Sequence, residues 1–252
     1  MSKNAPVDAT QTTIRVIEAL KELSGAGVSE IASELDLPTS TVHDHLRTLH
    51  ENEFVVKRDG HYEVGGRFLE IGGYARSNRD VYQIAEPEIQ KLASKTGEHA
   101  NLMVEEFGQG IFLLKVKGED AFELDTHVGK RVNLQTTAMG KTILSHLPEE
   151  RVDEIIEEHG LPEITPHTVT DREELDAELE QVREQGYAVD DEERIPGVRC
   201  VAAPILGDEG EVIASVSVTG PKSGMQGERF EQEIPDLVLR TANVIEVNLK
   251  YQ

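Results

Sequence analysis

Residues 27–64 hold two short amphipathic patterns that run directly into a hairpin signal, and few folds accommodate that succession. Val28, Ile31, Ala32 and Leu35 repeat at helical spacing, with Ser29 placed to cap the first turn. Asp36-Leu37-Pro38 stops this helix, and a second begins in Pro38-Thr39-Ser40-Thr41. In the second, Val42, Leu46 and Leu49 face inward and leave Ser40, His43, Asp44 and Arg47 outside. Phe54-Val55-Val56-Lys57-Arg58 and His61-Tyr62-Glu63-Val64 then flank Asp59-Gly60, a dipeptide that favours the two-residue turn whose twist matches paired strands. Two helices, a tight turn and a basic-tipped hairpin read as a winged helix-turn-helix, whose second helix lies in the DNA major groove.

The chain of 252 residues is long enough for two modest domains, each with its own core. No apolar run approaches the roughly 20 residues that cross a bilayer, and Met1-Ser2-Lys3-Asn4-Ala5-Pro6 lacks the apolar core of a signal peptide, so a cytoplasmic location without a membrane partner is expected. A single cysteine excludes an intrachain disulfide and a multi-cysteine zinc site. The net charge of −23 is unusual for a DNA-binding chain, but it is unevenly spread. Residues 1–76 hold 8 Lys and Arg against 12 Asp and Glu, a balance of −4; the remainder holds 17 against 36, a balance of −19. The reading is either an ordinary acidic protein or, favoured here, halophilic adaptation, because molar salt screens charges beyond about 3 Å. Affinity gained by counterion release shrinks as salt rises, so strong reliance on base-edge contacts is expected.

Along the chain, Thr12 or Thr13 is placed to cap a first helix with Ile14, Ile17, Leu20 and Leu23 as its inner stripe. Gly65-Gly66 breaks the hairpin pattern and a linker helix follows, which sets domains at 1–65 and 81–252 with the linker at 66–80. A helix over 81–96 carries Pro87, expected to mark an irregular turn or kink. Ala100, Leu102 and Val104 alternate as a strand, Gly108-Gln109-Gly110 turns the chain, and 111–116 returns. Thr136-Thr137 heads a helix through Leu144, Pro148 begins another that ends at Gly160, and Thr170 with Glu173 forms a capping-box signature for a third that ends near Gly186. A short strand at 187–190 precedes 198–204 and 212–219, which pair across Gly207-Asp208-Glu209-Gly210; Pro235 then opens a final helix. Hairpins mixed with helices predict an α+β fold with an antiparallel sheet. In the last strand Val212, Ala214, Val216 and Val218 form one face, while Ile213, Ser215, Ser217 and Thr219 form the other. Such a hydroxyl row suits a polar ligand or a solvent-facing edge.

Gly27-Val28-Ser29-Glu30-Ile31-Ala32 and Ser40-Thr41-Val42 in the reader are followed by Ala138-Met139-Gly140-Lys141, Gly186-Tyr187-Ala188-Val189-Asp190-Asp191-Glu192-Glu193, Gly197-Val198-Arg199-Cys200-Val201-Ala202-Ala203-Pro204 and Ser217-Val218-Thr219-Gly220-Pro221. In that order, and over almost the whole chain, these segments resemble the IclR family of transcription regulators. The resemblance implies a GAF-like effector-binding domain behind the winged helix, a small-molecule effector, and homodimers often paired into homotetramers. It also implies that the effector is held by Ala138 and Met139 at a helix start, by Asp190, by Cys200, and by Ser217 with Thr219. Ala138 stands where some members have glycine, and Asn133 and Gln135 replace a more usual Pro and His. An ionised Asp190 opposes an anionic effector, so a protonated carboxyl or a bound hydroxyl group is expected there.

The function expected is a ligand-responsive regulator on a pseudo-palindromic double-stranded operator. Ser29, Thr39, Ser40, Thr41, His43 and Arg47 are the candidate DNA contacts on the two helices, with Lys57 and Arg58 at the wing. Asp44 either accepts from a cytosine amino group or orients Arg47. His43, His45 and His50 fit no metal-ligand template, and no cofactor or metal is expected. Two rivals stand beside this reading. One is a small-molecule hydrolase or lyase that uses Cys200, Asp190 and the hydroxyl row, with an appended DNA-binding module, although no nucleophile elbow, phosphate loop or metal signature is present. The other is an interaction protein whose winged helix contacts another protein.

Overall fold

The chain divides into two compact units, Met1–Ala75 and Arg76–Gln252; the computed structural model describes residues 6–124 and 126–251. In the first unit α1 (Asp8–Glu22), α2 (Val28–Leu35) and α3 (Thr39–Glu51) precede a hairpin of β1 (Val55–Arg58) and β2 (His61–Val64). Val16, Ala19, Leu20, Ile31, Val42, Leu46, Leu49, Val55 and Tyr62 pack as one core. Asp36 sits at φ 52° between α2 and α3, a left-handed position that a short polar side chain tolerates. Asp59 and Gly60 both have positive φ, the signature of the hairpin turn expected.

Three local expectations are corrected here. Ser29 lies inside α2, whose N-cap is Gly27; the Glu30 carboxylate accepts the Gly27 N–H at 2.6 Å instead. Thr12 and Thr13 lie inside α1 and donate back to the Asp8 and Ala9 carbonyls at 2.9 and 3.0 Å, so neither is a cap. The inner stripe of α1 is Val16, Ala19 and Leu20, while Ile14 and Leu23 are exposed. Steps of three fall short of a full turn, so at about 100° per residue positions 14 and 23 end on opposite sides.

The unit boundary falls inside α4 (Arg67–Ser77), which buries none of its residues. The second unit places α5 (Asp80–Thr96) and α9 (Ile234–Lys250) on one face of a six-stranded antiparallel sheet ordered β5-β4-β3-β8-β7-β6. Its strands are β3 (His99–Glu106), β4 (Gln109–Val116), β5 (Arg131–Asn133), β6 (Ala188–Asp191), β7 (Val198–Leu206) and β8 (Val212–Pro221). Against the other face pack α6 (Ala138–Leu144), α7 (Glu149–His159) and α8 (Arg172–Gln185). Helix α5 passes through Pro87 without a break. Pro87 and Gln83 are both exposed, so water reaches the carbonyl left without a donor while Ile84, Ala85, Ile89 and Leu92 stay packed. The N-cap of α8 is Asp171, which accepts from the Glu173 and Glu174 N–H groups, and not Thr170.

Two β-bulges govern which side chains face α6. Leu102 pairs with Leu114 and Met103 with Phe112, so Leu113 is the extra residue in β4. Beyond it the alternation is inverted: Leu114 joins the α5/α9 core and Lys115 turns to the face that carries Phe112, opposite Asn101. Likewise Ile205 pairs with Ala214 and Leu206 with Val212, which leaves Ile213 extra. Val212 therefore packs on the α6 side and Ile213 on the α5/α9 side, the reverse of simple alternation.

Candidate DNA-reading surface and effector cavity

The outward face of α3 carries Thr39, Ser40, His43, Asp44, Arg47 and Glu51, with Thr41 half-buried at its margin. Val42, Leu46 and Leu49 anchor the opposite side in the core. Asp44 lies between its neighbours, its Oδ1 3.6 Å from His43 Nδ1 and 3.9 Å from Arg47; Glu51 is 3.9 Å from the same guanidinium. His45 and His50 do not share this face's role. His45 Nδ1 contacts the Thr13 hydroxyl at 2.9 Å, and His50 Nδ1 contacts the Val55 carbonyl at 3.1 Å, which ties α3 to α1 and to the wing. At the wing Arg58 pairs with Glu63 at 3.6 Å, and Lys57 lies 5.1 Å from the Tyr62 ring centroid. Ser29 is exposed on α2.

On the α6 side of the sheet, cross-strand pairing assembles a row: Lys115 opposite Asn101, Asn101 opposite Ser217, Thr219 opposite Cys200, and Cys200 opposite Asp190. A small cavity of about 40 Å³, open at its mouth, lies over this row. Its polar lining is Asn101, Lys115, Thr126, Asp190, Arg194, Cys200 and Thr219; Phe112, Leu124, Met139, Ile195 and Val198 supply apolar wall. Of the six residues implied by resemblance, Met139, Asp190, Cys200 and Thr219 are brought together here. Ser217 is fully buried and accepts from Asn101 Nδ2 at 3.1 Å, and Ala138 is fully buried at the start of α6, so both stand behind the wall. Helix α6 spans seven residues, and its Thr137 cap accepts the Gly140 N–H at 2.9 Å, which occupies one of the N–H groups of its first turn. A Cβ on Gly140 would lie 1.9 Å from the Leu134 carbonyl oxygen, so only glycine allows α6 this close to the preceding turn.

Asn101, Lys115 and Arg194 were not found by sequence reasoning. Asn101 donates to Ser217 and Thr219, and Lys115 donates to the Leu124 and Thr126 carbonyls at 3.2 and 2.9 Å. Arg194 lies 5.5 Å from the Phe112 ring centroid. The available signals were single polar residues inside apolar strands, Asn101 in Ala100-Asn101-Leu102-Met103-Val104 and Lys115 in Phe112-Leu113-Leu114-Lys115-Val116. A lone polar residue in such a run is worth questioning because its burial requires partners.

Burial pushes the Asp190 carboxyl up to about 7, with Glu193 adding to the rise and Lys141 opposing it. The folded chain therefore holds a proton on Asp190 that the unfolded chain releases near pH 4. Asp190 costs the native state nothing below that range, and its cost grows as pH rises toward 7. Asp190→Asn is expected to remove this component: its urea-unfolding free energy, compared with wild type, gains steadily from pH 4 to pH 7.5. Parallel profiles would contradict the assignment.

Cys200 is buried, accepts from Thr219 Oγ1 at 3.2 Å, and is pushed up to about 12 by burial and by Asp190. A thiol held neutral is a poor nucleophile. Native protein at pH 8 is expected to react with iodoacetamide at least about a hundredfold more slowly than urea-unfolded protein; equal rates would show an accessible thiolate. Among the described residues no group of three or more His, Cys, Asp and Glu is placed to hold a metal, and no helix is long and apolar enough to cross a membrane.

Comparisons with known proteins meet this geometry at both ends of the chain. The IclR helix-turn-helix domain matches residues 10–59, and the bacterial transcriptional regulator IclR C-terminal domain matches residues 74–247. The probable HTH-type transcriptional regulator ArcR of Halobacterium salinarum is 38% identical over 97% of this chain and 94% of its own length. The HTH-type transcriptional repressor AllR of Escherichia coli K12 is 32% identical, over 96% of this chain and 90% of its own. Among solved structures, the IclR of Thermotoga maritima superposes with a TM-score of 0.79 at 30% identity, covering 96% of this chain and 98% of that one. An IclR homolog complexed with 4-hydroxybenzoate, from Microbacterium hydrocarbonoxydans, has the same fold at a TM-score of 0.80 and 23% identity, covering 95% of this chain and 100% of that one. A winged reader joined to a sheet-backed cavity, matched along nearly its whole length, makes this chain a member of the IclR family of DNA-binding transcriptional regulators.

Proposed function

We propose that this regulator represses or activates transcription by binding a pseudo-palindromic operator as a dimer or tetramer and releasing or reseating on it when a small organic, sugar or aromatic acid enters the cavity. The single observation that carries the acid is the meeting of Lys115 and Arg194 with the hydroxyl of Thr219 and the amide of Asn101 around one opening. Two cations attract a carboxylate, and the amide and hydroxyl suit a polar substituent on it. Asp190, which keeps its proton up to about pH 7, is compatible with such an anion and donates to an oxygen of it. A complex of an IclR homolog with 4-hydroxybenzoate supports an acid as the ligand class.

In this reading Ser40, Thr41, His43 and Arg47 of α3 contact the major groove, Ser29 and Thr39 position the helix, and Lys57 and Arg58 contact phosphates. Leu69 and Tyr74 on α4 are 80% and 70% exposed, and this apolar surface supports pairing with a second copy. The pair would set two recognition helices about 34 Å apart. Such a protein works where the chromosome is, in the cytoplasm. The acidity of the second unit fits a saline interior. A nucleophilic enzyme is disfavoured by the state of Cys200.

Selection of bound duplexes from a random pool by the full chain, followed by footprinting on the enriched sequence, tests the reading. Two inverted half-sites one helical turn or a multiple of it apart are expected. A lone asymmetric half-site, or no enrichment, would overturn it.

A further inference from the structure

The recognition surface is unusual in carrying acid at its centre. Across α3 and the wing, three exposed cations (Arg47, Lys57, Arg58) stand beside Asp44, Glu51, Asp59 and Glu63. The cations are engaged within the surface itself: Arg47 with Asp44 and Glu51, Arg58 with Glu63, and Lys57 over the Tyr62 ring. Nothing here offers a bare basic stripe for an arbitrary run of phosphates, and Asp44 repels phosphate wherever no donor meets it.

We propose that Asp44 is the specificity-determining residue of this reader, acting with Arg47 as a donor–acceptor pair that matches the major-groove edge of one G·C base pair. This rests on α3 being the helix in the groove. Guanine presents N7 and O6 as acceptors and cytosine presents an N4 amino donor; an arginine fits the first and a carboxylate fits the second. Asp44 and Arg47 are neighbours across one turn of the exposed face, which lets both side chains reach the edge of a single base pair. The two side chains already lie together at 3.9 Å, so a G·C edge exchanges their mutual contact for a contact to each base. When A·T replaces it in the same orientation, the carboxylate faces the thymine O4 acceptor and methyl, and the adenine N6 donor meets Arg47 instead. Asp44 thus acts in two ways. It lowers affinity for random DNA, and it penalises the wrong base at one position of each half-site. His43, 3.6 Å from the same carboxylate, is oriented beside it.

The test uses the full-length wild type and Asp44→Asn, a nearly isosteric change at an exposed site, with circular dichroism to verify folding. Wild type first selects its consensus from random duplexes. Both proteins are then titrated with that consensus, with random duplex, and with variants in which each half-site G·C pair is changed in turn to A·T. The Asp44→Asn protein is expected to bind random duplex several-fold more tightly and to lose about tenfold or more of the consensus-to-random ratio, with the loss concentrated at one symmetry-related G·C pair. The random-duplex salt dependence should steepen, because one repulsive contact with phosphate is gone. A ratio within twofold of wild type, or a loss spread evenly over all positions, would overturn the assignment of Asp44 while leaving the wild-type consensus intact. Failure of the wild type to enrich any sequence would overturn the reader itself, and this proposal with it.

Discussion

Lys141→Met is expected to destabilise the effector unit by about 3–5 kcal/mol, the cost of leaving the Glu193 carboxylate buried without its cation. Lys141 is 2% exposed and bridges Glu193 at 2.6 Å and Glu178 at 2.9 Å. Burial opposes its charge, but the two carboxylates outweigh burial and hold its ammonium above the ordinary range. This bridge joins α6, α8 and the segment after β6, and the Glu193 N–H in turn donates to Asp190 Oδ1 at 2.8 Å on the wall of the cavity. For a unit of this size the melting temperature should fall by roughly 2–4 °C per kcal/mol. Adding Glu193→Gln to Lys141→Met should recover part of the loss, since the amide no longer needs a countercharge. If Lys141→Met unfolds at the wild-type urea midpoint, the bridge contributes nothing and its role as a support for the cavity is refuted.

Lys115→Met should weaken binding of a carboxylate effector by about 2–5 kcal/mol, some thirtyfold or more, because the anion would be buried without its cation. The bulge at Leu113 gives Lys115 this position. Its side chain also donates to the Leu124 and Thr126 carbonyls, so a control is needed to separate anchoring of that segment from attraction to the ligand. Lys115→Arg, which retains the charge, supplies it. Calorimetric titration with pyruvate, gluconate and 4-hydroxybenzoate as representatives of the three acid classes is expected to find at least one that binds the wild type and Lys115→Arg, and binds Lys115→Met some thirtyfold or more weakly. Equal affinity in the methionine variant would remove Lys115 from the effector site.

Much of the fold was legible because its signals are local. Asp59-Gly60 has one favoured hairpin geometry, Gly186 ends α8 in the left-handed conformation that glycine accepts, and Pro148 stands at the start of α7 as expected. The errors arose where competing local solutions exist. Glu30 rather than Ser29 satisfies the start of α2, and Asp171 rather than Thr170 caps α8, because several neighbouring polar residues can serve and the backbone selects one. Of the cavity, Asp190, Cys200 and Thr219 were reachable through resemblance, and Met139 with them. Lys115 was not, since strict alternation after Phe112 sends it to the opposite face and only the bulge returns it. Arg194 was hidden in an irregular turn after β6, where no periodicity operates. The exposed face of α3 needed no such detail: a buried stripe of Val42, Leu46 and Leu49 dictates what must face outward.

The central claim is that occupancy of the cavity and grip on DNA are coupled in one chain. An effector shifts the operator affinity only if it binds the competent and incompetent arrangements unequally, and the coupling must then be reciprocal. The most direct test is the operator dissociation constant of the full chain, measured with and without a saturating concentration of whichever acid binds in the titration above. A change of roughly fivefold or more is expected in the wild type, and a clearly smaller one in Lys115→Met at the same concentration. An acid that fills the cavity while operator affinity stays constant would contradict the account.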